Sequence, residues 1–306
     1  MTGRLLSIGE CMVELMQAEG DLLRKGYAGD TFNTAYYARL FLPQDWSVDY
    51  LTAVGTDTVS GEMLAFIEKT GVGTSHIRRV EGRTPGLYMI HLKDGERSFS
   101  YWRSVSAAKT LADDADHLRA AIEASDILVF SGITLAILAP TAVETLLSEL
   151  RRAKAEGKLV VFDPNIRPRL WDDKQYMLET ISAGARASSL VMPSFDDEAA
   201  HFGDTDIAAT IARYRGLGVD NIVVKDGPNG VTLSFGSNEP QFVPAAKVTK
   251  IVDTTSAGDS FNGAFLARYG VDGNPVAAAQ FAARIAAGVI GHHGALVSKD
   301  KLQAAF

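Results

Sequence analysis

The stretch "APTAVETLLSELRRAKAEGKLVVFDP", Ala139 to Pro164, reads as one helix followed by one strand. Its first part carries apolar residues at helical spacing, opens beside Pro140, whose fixed φ suits a first turn, and stops at Gly157. Its second part, "KLVVFDP", is a short apolar, β-branched run of the kind found in strands buried on both faces. Similar runs recur as "RLLSIG", "VDYLTAVG", "DILVFSG", "SLVMPS" and "NIVVKDG", with helical patterns between them. This alternation predicts an α/β layered fold in which helices cover a mostly parallel sheet.

Two regions break the rhythm, residues 10 to 29 and about 74 to 103. Both alternate like strands without intervening helices, and "TPGLYMIHL", the turn-like "KDGE" and "RSFSYWR" read as a hairpin. They predict a small inserted β-sheet, a lid over the carboxyl ends of the main strands, where ligands of open α/β sheets bind. With no low-complexity tract, repeat period or long linker, residues 1–306 read as a single domain.

Composition narrows the partners. With 46% hydrophobic residues, 22% charged residues and a net charge of −7, the chain suits a soluble globular protein and not a binder of nucleic acid, which needs clustered Lys and Arg. A locally basic pocket for a small anion stays compatible with that charge. Cys11 is the only cysteine, so no intrachain disulfide forms and a reducing compartment fits; the residue itself reads as a small apolar side chain on a strand. The N-terminus alternates like strand and lacks a signal-peptide pattern, and Val276–Ile290 is short, Ala-rich and interrupted by Arg284. A cytoplasmic protein with no membrane partner is expected.

The segment "DTTSAGDSFNG", Asp253 to Gly263, precedes the apolar run "AFLARYG". A helix N-terminus exposes unpaired N–H groups and the positive end of its dipole, and small residues let a phosphate approach. Asp259 at such a mouth would repel phosphate unless it faces a second reactant, as a general base taking a proton from a hydroxyl. A first-turn Asp that merely suits the dipole explains the same residue. In "AGDTFN", Asp30 and Asn33 offer an acceptor and an amide for sugar hydroxyls, and Gly29 allows close backbone approach; a capped helix start is the equal alternative. Arg103 in "SYWR" and Arg167 in "FDPNIRPRLW" can each present a planar fork to a carboxylate, or can be ordinary surface arginines. The adjacent His292 and His293 are poorly spaced to share a metal on one helix face, and no His/Cys cluster supports zinc.

"DTTSAGDSFNGAFLA" resembles the C-terminal signature of the ribokinase-like, or PfkB, carbohydrate kinases. "GECMVEL", "AGDTFNTAYYARL", "VGTDTVSGEML", "VVFDPNIRPRLW" and "VVKDGPNG" follow that family's order over nearly the whole chain. The resemblance implies a ribokinase-like fold and ATP-dependent phosphoryl transfer to a sugar hydroxyl, with Asp259 as base and the amides of Ser256, Ala257 and Gly258 as anion hole. Ser256 stands where the family usually has glycine, and serine tolerates positive φ less well. The family match favours sugar binding at Gly29, Asp30 and Asn33. Tyr101, Trp102 and Arg103 together with Arg167 resemble the branch that acts on 2-keto-3-deoxygluconate, which implies that Tyr88, Tyr101, Arg103 and Arg167 hold the acid substrate.

On the nucleotide side the resemblance assigns Asn165, Ser194, Lys225, Gly227, Gly230, Thr255 and Gly258 to ATP, and leaves His293 beside the adenine. "VMPSFDDE" resembles the family's Asn-x-x-Glu region with altered residues, so Asp197, with Glu198 as the fallback, is expected to organise hydrated Mg²⁺, while a solvated acidic helix start explains the same residues equally. A monovalent cation is also compatible with the family. The expected reaction is phosphorylation of the terminal C6 hydroxyl of 2-keto-3-deoxygluconate. The alternatives are a kinase for a neutral sugar, such as fructose or ribose, or for a nucleoside, and a non-catalytic sugar sensor. A nicotinamide enzyme would need G-x-G-x-x-G after the first strand, which is absent, as is a G-x-x-x-x-G-K-[ST] loop. Open edges of the inserted sheet point to a homo-oligomer.

Overall fold

The computed structural model describes residues 2–18, 20–93, 96–248 and 250–305. Its strands in chain order are β1 (Arg4–Ile8), β2 (Met12–Gln17), β3 (Leu23–Ala28), β4 (Ser47–Val54), β5 (Ile77–Arg79), β6 (Leu87–Lys93), β7 (Glu96–Trp102), β8 (Ile127–Ser131), β9 (Leu159–Asp163), β10 (Leu190–Val191), β11 (Asn221–Lys225), β12 (Val231–Phe235) and β13 (Gln241–Val243). Nine of them form one sheet in the order β13-β12-β11-β10-β9-β8-β1-β4-β5, parallel from β11 through β5, with β12 and β13 antiparallel at one edge.

The apolar runs became these central strands because both of their faces are covered. Leu5 and Leu6 are both fully buried, yet Leu5 packs into the core on one face and Leu6 into the core on the other. Phe130 and Phe162, neighbours on β8 and β9, stack at 4.7 Å within the second core. Each such side chain removed from water contributes about 1.5–3 kcal/mol. The helix expected from Pro140 spans Pro140–Ala155, buries Val143, Leu146, Leu147 and Leu150, and delivers the chain to β9.

The small sheet has the order β3-β2-β6-β7. It leaves the body just past β1 and returns at Gly29, so it stands at the carboxyl ends of the parallel strands. The expected lid region from 74 to 103 is divided: Ile77–Arg79 pairs with β4 at the edge of the main sheet, and only β6 and β7 join the lid. In "KDGE", Asp94 and Gly95 lie outside the described residues. Cys11 is buried, but in the link between β1 and β2 and not within a strand, and burial pushes its thiol up. Val276–Ile290 largely coincides with the helix Pro275–Val289, and among the described residues no helix is long and apolar enough to cross a membrane.

Candidate active site

Most of the expected site residues fall at the carboxyl ends of β9, β10 and β11 and at two helix starts, Asp30–Phe41 and Ala257–Asp272, whereas Tyr88, Tyr101 and Arg103 lie on or just past β6 and β7 of the small sheet. Those two helices pack closely because Gly263 has no side chain. A Cβ there would sit 2.5 Å from the carbonyl oxygen of Thr34 and 2.9 Å from the backbone nitrogen of Ala38. The close approach lets Asn33 reach across 226 positions of sequence to donate its amide to Asp259 Oδ2 at 2.8 Å.

Asp259 lies in the first turn of its helix, partly exposed to the cleft. Burial pushes its carboxyl up from the ordinary 3.8 to about 7; the nearby charge of Asp30 adds to the rise, and the Asn33 hydrogen bond opposes it. Asp30 is itself raised by burial, with hydrogen bonds from Ser131 and Asn165 acting the other way. Asn165 donates to Asp30 Oδ2 at 2.9 Å. Two hydrogen-bonded pairs, Asn165–Asp30 and Asn33–Asp259, are thus coupled through the charges of their carboxyls, and they draw on both the sugar and the nucleotide expectations.

The amides of Ser256, Ala257 and Gly258 form the start of the same helix. Ser256 has φ 63° and ψ 15°, the left-handed region that glycine favours, and its buried hydroxyl finds no partner among the described residues. The departure from the family pattern thus falls at a strained position. Asn165, with φ 34°, is the other non-glycine residue at positive φ among those described. Asp253 shapes the preceding loop by accepting from the backbone N–H of Thr255 and of Gly294, each at 2.9 Å.

Behind the loop lies Lys225, expected on the nucleotide side, with two partners the sequence did not single out. Lys225 Nζ donates to Asp163 Oδ2 and to Asn262 Oδ1, both at 3.2 Å, and Asn262 donates to the same Asp163 oxygen at 2.6 Å. The ammonium is beside the helix start: a Cβ on Gly258 would lie 3.7 Å from it. Gly230 has φ 115° and would clash with the Val243 carbonyl if it carried a Cβ, whereas Gly227, at φ 48°, faces open space. Ser194 bridges to Lys225 and begins the helix Phe195–Phe202.

Other expectations divide. Gly29 is extended, at φ 178°, and its close approach is to the chain itself: a Cβ would lie 2.0 Å from the Glu10 carbonyl oxygen. Asp197 stands 3.7 Å from the exposed Arg167, and burial raises its carboxyl while Arg167 lowers it. Glu198 does not face the cleft. It is fully buried against Arg213 at 2.5 Å and the Tyr214 hydroxyl at 3.0 Å, and burial lifts it to about 7. Tyr88 and Tyr101 are cross-strand partners with ring centres 6.0 Å apart; Tyr88 donates to Glu14, and Tyr101 is half exposed. Arg103 pairs with Glu10, so among the described residues the two arginines have separate acidic partners. A cavity of about 500 Å³ is lined by Lys247, Lys250, Arg284, His292 and Lys301 among others; of the histidine pair, His292 lines it and His293 does not.

Sequence reasoning missed Glu10, Glu14, Asp163, Asn262 and Ser131. Asn262 follows Asp259 by three positions, which places it about one helical turn along, and Asp163 ends the strand before Asn165. Those spacings were signals; the partners of Glu10 and Glu14 left none in the local sequence.

Known proteins resemble this arrangement as a whole. The pfkB family carbohydrate kinase pattern matches residues 3–302. The 2-dehydro-3-deoxygluconokinase of Escherichia coli K12 is 38% identical over 310 residues, covering 99% of this chain and 100% of that protein. The one from Haemophilus influenzae is 35% identical over 302 residues, covering 97% and 96%. The crystal structure of fructokinase with bound ATP from Xylella fastidiosa superposes with a TM-score of 0.85 at 22% identity, covering 100% of this chain and 98% of that one, a likeness of fold.

Proposed function

Because this chain belongs to the pfkB family of carbohydrate kinases, we propose that it is a 2-dehydro-3-deoxygluconokinase, transferring the γ-phosphoryl group of ATP to 2-keto-3-deoxygluconate, the same compound under its other name. The products are ADP and 2-keto-3-deoxy-6-phosphogluconate. The observation that carries the mechanism is Asp259: a carboxyl at the mouth of a helix N-terminus, oriented by Asn33 and poised near neutral pH.

Asp259 takes the proton from the C6 hydroxyl as its oxygen attacks the γ-phosphorus, and the bond from that phosphorus to the bridging oxygen of ADP breaks. The backbone N–H groups of Ser256, Ala257 and Gly258 stabilise charge on the transferring group, with the Lys225 ammonium beside them. Asp30 and Asn33, at the cleft end of their helix, orient sugar hydroxyls together with Gly29. Tyr88, Tyr101, Arg103 and Arg167 hold the acid end; support comes from the pairing of both tyrosines on the lid and from the mostly buried Arg103 at its root.

ATP lies toward Asn165, Ser194, Lys225, Gly227, Gly230 and Thr255. Mg²⁺ binds through few protein carboxylates and many waters, and Asp197, whose carboxyl feels the nearby charge of Asp163, would hold it. The ion would neutralise phosphate charge there.

The same reading places the enzyme in the cytoplasm, in keeping with its single buried thiol. It is also a homo-oligomer, a view supported by the exposed Phe99, Tyr101, Trp102 and Val105 on and beside the lid edge. The test is an ADP-release assay across sugar acids and neutral sugars. Preferential turnover of 2-keto-3-deoxygluconate is expected, and equal or faster turnover of fructose, ribose or a nucleoside would reject the assignment.

A further inference from the structure

Four crossings of the chain join the central sheet to the lid, and all four meet at Glu10. Glu10 itself lies in the first crossing, between β1 and β2. In the second, Gly29 lets the backbone close to its carbonyl, where a Cβ would be 2.0 Å away. In the third, Gly86 leaves room for its carboxylate, since a Cβ there would lie 2.6 Å from Oε1. In the fourth, past β7, Arg103 Nη2 donates to Oε2 and the Ser106 hydroxyl donates to Oε1. The third and fourth crossings are also tied directly, by the Ala107 N–H donating to the Thr84 carbonyl at 2.9 Å. The Glu10 side chain is 1% exposed and that of Arg103 is 14% exposed.

We infer that Glu10 is a positioning residue for sugar-acid recognition, fixing the Arg103 guanidinium so that its remaining N–H edge meets the substrate carboxylate. The inference rests on the reading of Arg103 as a holder of the acid end. A guanidinium carries five donors in a rigid fork, and among the described residues Glu10 takes one bond from Nη2 alone, so the other Nη2 hydrogen and its neighbour on that side, Nη1 or Nε, leave one edge for a second carboxylate. An arginine at the end of a lid strand otherwise samples many rotamers, and the buried pair removes that freedom before substrate arrives. Because Glu10 offsets the arginine's charge, recognition of the acid depends on the direction of the hydrogen bonds more than on net attraction. The opposing possibility is that Glu10 only masks a useful positive charge, in which case its neutralisation would tighten acid binding.

The experiment measures kcat, KM for 2-keto-3-deoxygluconate, KM for ATP and Tm in the parent, Glu10→Gln, Ser106→Ala, Arg103→Ala and the Glu10→Gln/Arg103→Ala double variant. Glu10→Gln should raise the sugar-acid KM roughly ten- to hundredfold, the scale of one charge-assisted hydrogen bond. Its kcat and KM for ATP should stay within about twofold of the parent. In the Arg103→Ala background Glu10→Gln should add nothing, because its action passes through that arginine. If Glu10→Gln does not fold, Ser106→Ala carries the test: it should raise the same KM by a smaller factor, again only while Arg103 is present. An unchanged or lowered KM in these variants, or effects that multiply in the double variant, would overturn the inference and leave the assigned reaction standing. An Arg103→Ala enzyme with normal acid KM would remove the role of Arg103 and this inference with it.

Discussion

Replacing Asp259 with Asn should give a protein that is nearly inactive yet more stable than its parent, by an amount that grows with pH. The carboxyl titrates at about 7 in the folded chain against an ordinary 3.8, chiefly because burial disfavours its charge. Between those values the folded state holds a proton that the unfolded state has released, so stability falls as pH rises through this window and is untouched below it. At about 1.36 kcal/mol per pH unit, the parent loses up to about 3 kcal/mol between pH 5 and pH 7 and little more beyond; partial exposure to the cleft trims that figure. Asparagine keeps an acceptor for the Asn33 amide and carries no charge to bury. The Tm difference between variant and parent should therefore widen by several degrees, on the order of 4–6 °C, from pH 5 to pH 8. Glu198, also lifted to about 7, titrates in both proteins and cancels. Scanning calorimetry across pH, with an ADP-release assay on the same samples, reads both effects. Turnover should fall by about two to four orders of magnitude. A Tm difference independent of pH would refute the buried-charge account, and near-parental turnover would refute the role of base.

In the parent, kcat/KM should fall about tenfold per pH unit below the raised value of Asp259, about 7. Asn33→Ala, which removes the bond to Oδ2, should move that limb upward; initial rates from pH 5 to 9 would show it, and a limb near 4 would count against Asp259. Gly263→Ala forces a methyl into the Thr34 carbonyl, so it should cost about 1–3 kcal/mol and reduce kcat by separating Asn33 from Asp259, as measured by Tm and turnover. Ser256→Gly should relieve left-handed strain without stranding a partner, leaving stability equal to the parent or up to about 1 kcal/mol higher. A clear loss of Tm in Ser256→Gly would show that the serine hydroxyl contributes.

Much of the frame was legible because its signals are local. Six apolar runs became parallel strands, since a strand buried on both faces must be apolar at consecutive positions whatever its neighbours are. The helix Pro140–Ala155 followed from spacing, Pro140 and Gly157, and Ser256 could be marked as strained because a glycine-type position was occupied by serine. Strand type does not reveal pairing, however, and Ile77–Arg79 left the expected lid for the edge of the main sheet.

The site depended on contacts between distant positions. Asn33 meets Asp259, Lys225 meets Asp163, and Arg103 meets Glu10, pairs separated by 226, 62 and 93 positions. Nothing local requires those partners; they meet because parallel strands end on the same side of the sheet and Gly263 lets two helices nearly touch. Glu198 shows the same limit in reverse, since its neighbour Asp197 opens toward Arg167 while it turns inward to Arg213 and Tyr214. Residue type and spacing set which chemistry the chain could perform. Packing set which groups are buried, paired or raised toward neutral pH, because desolvation and hydrogen bonding act over a few ångströms of space and not along the chain.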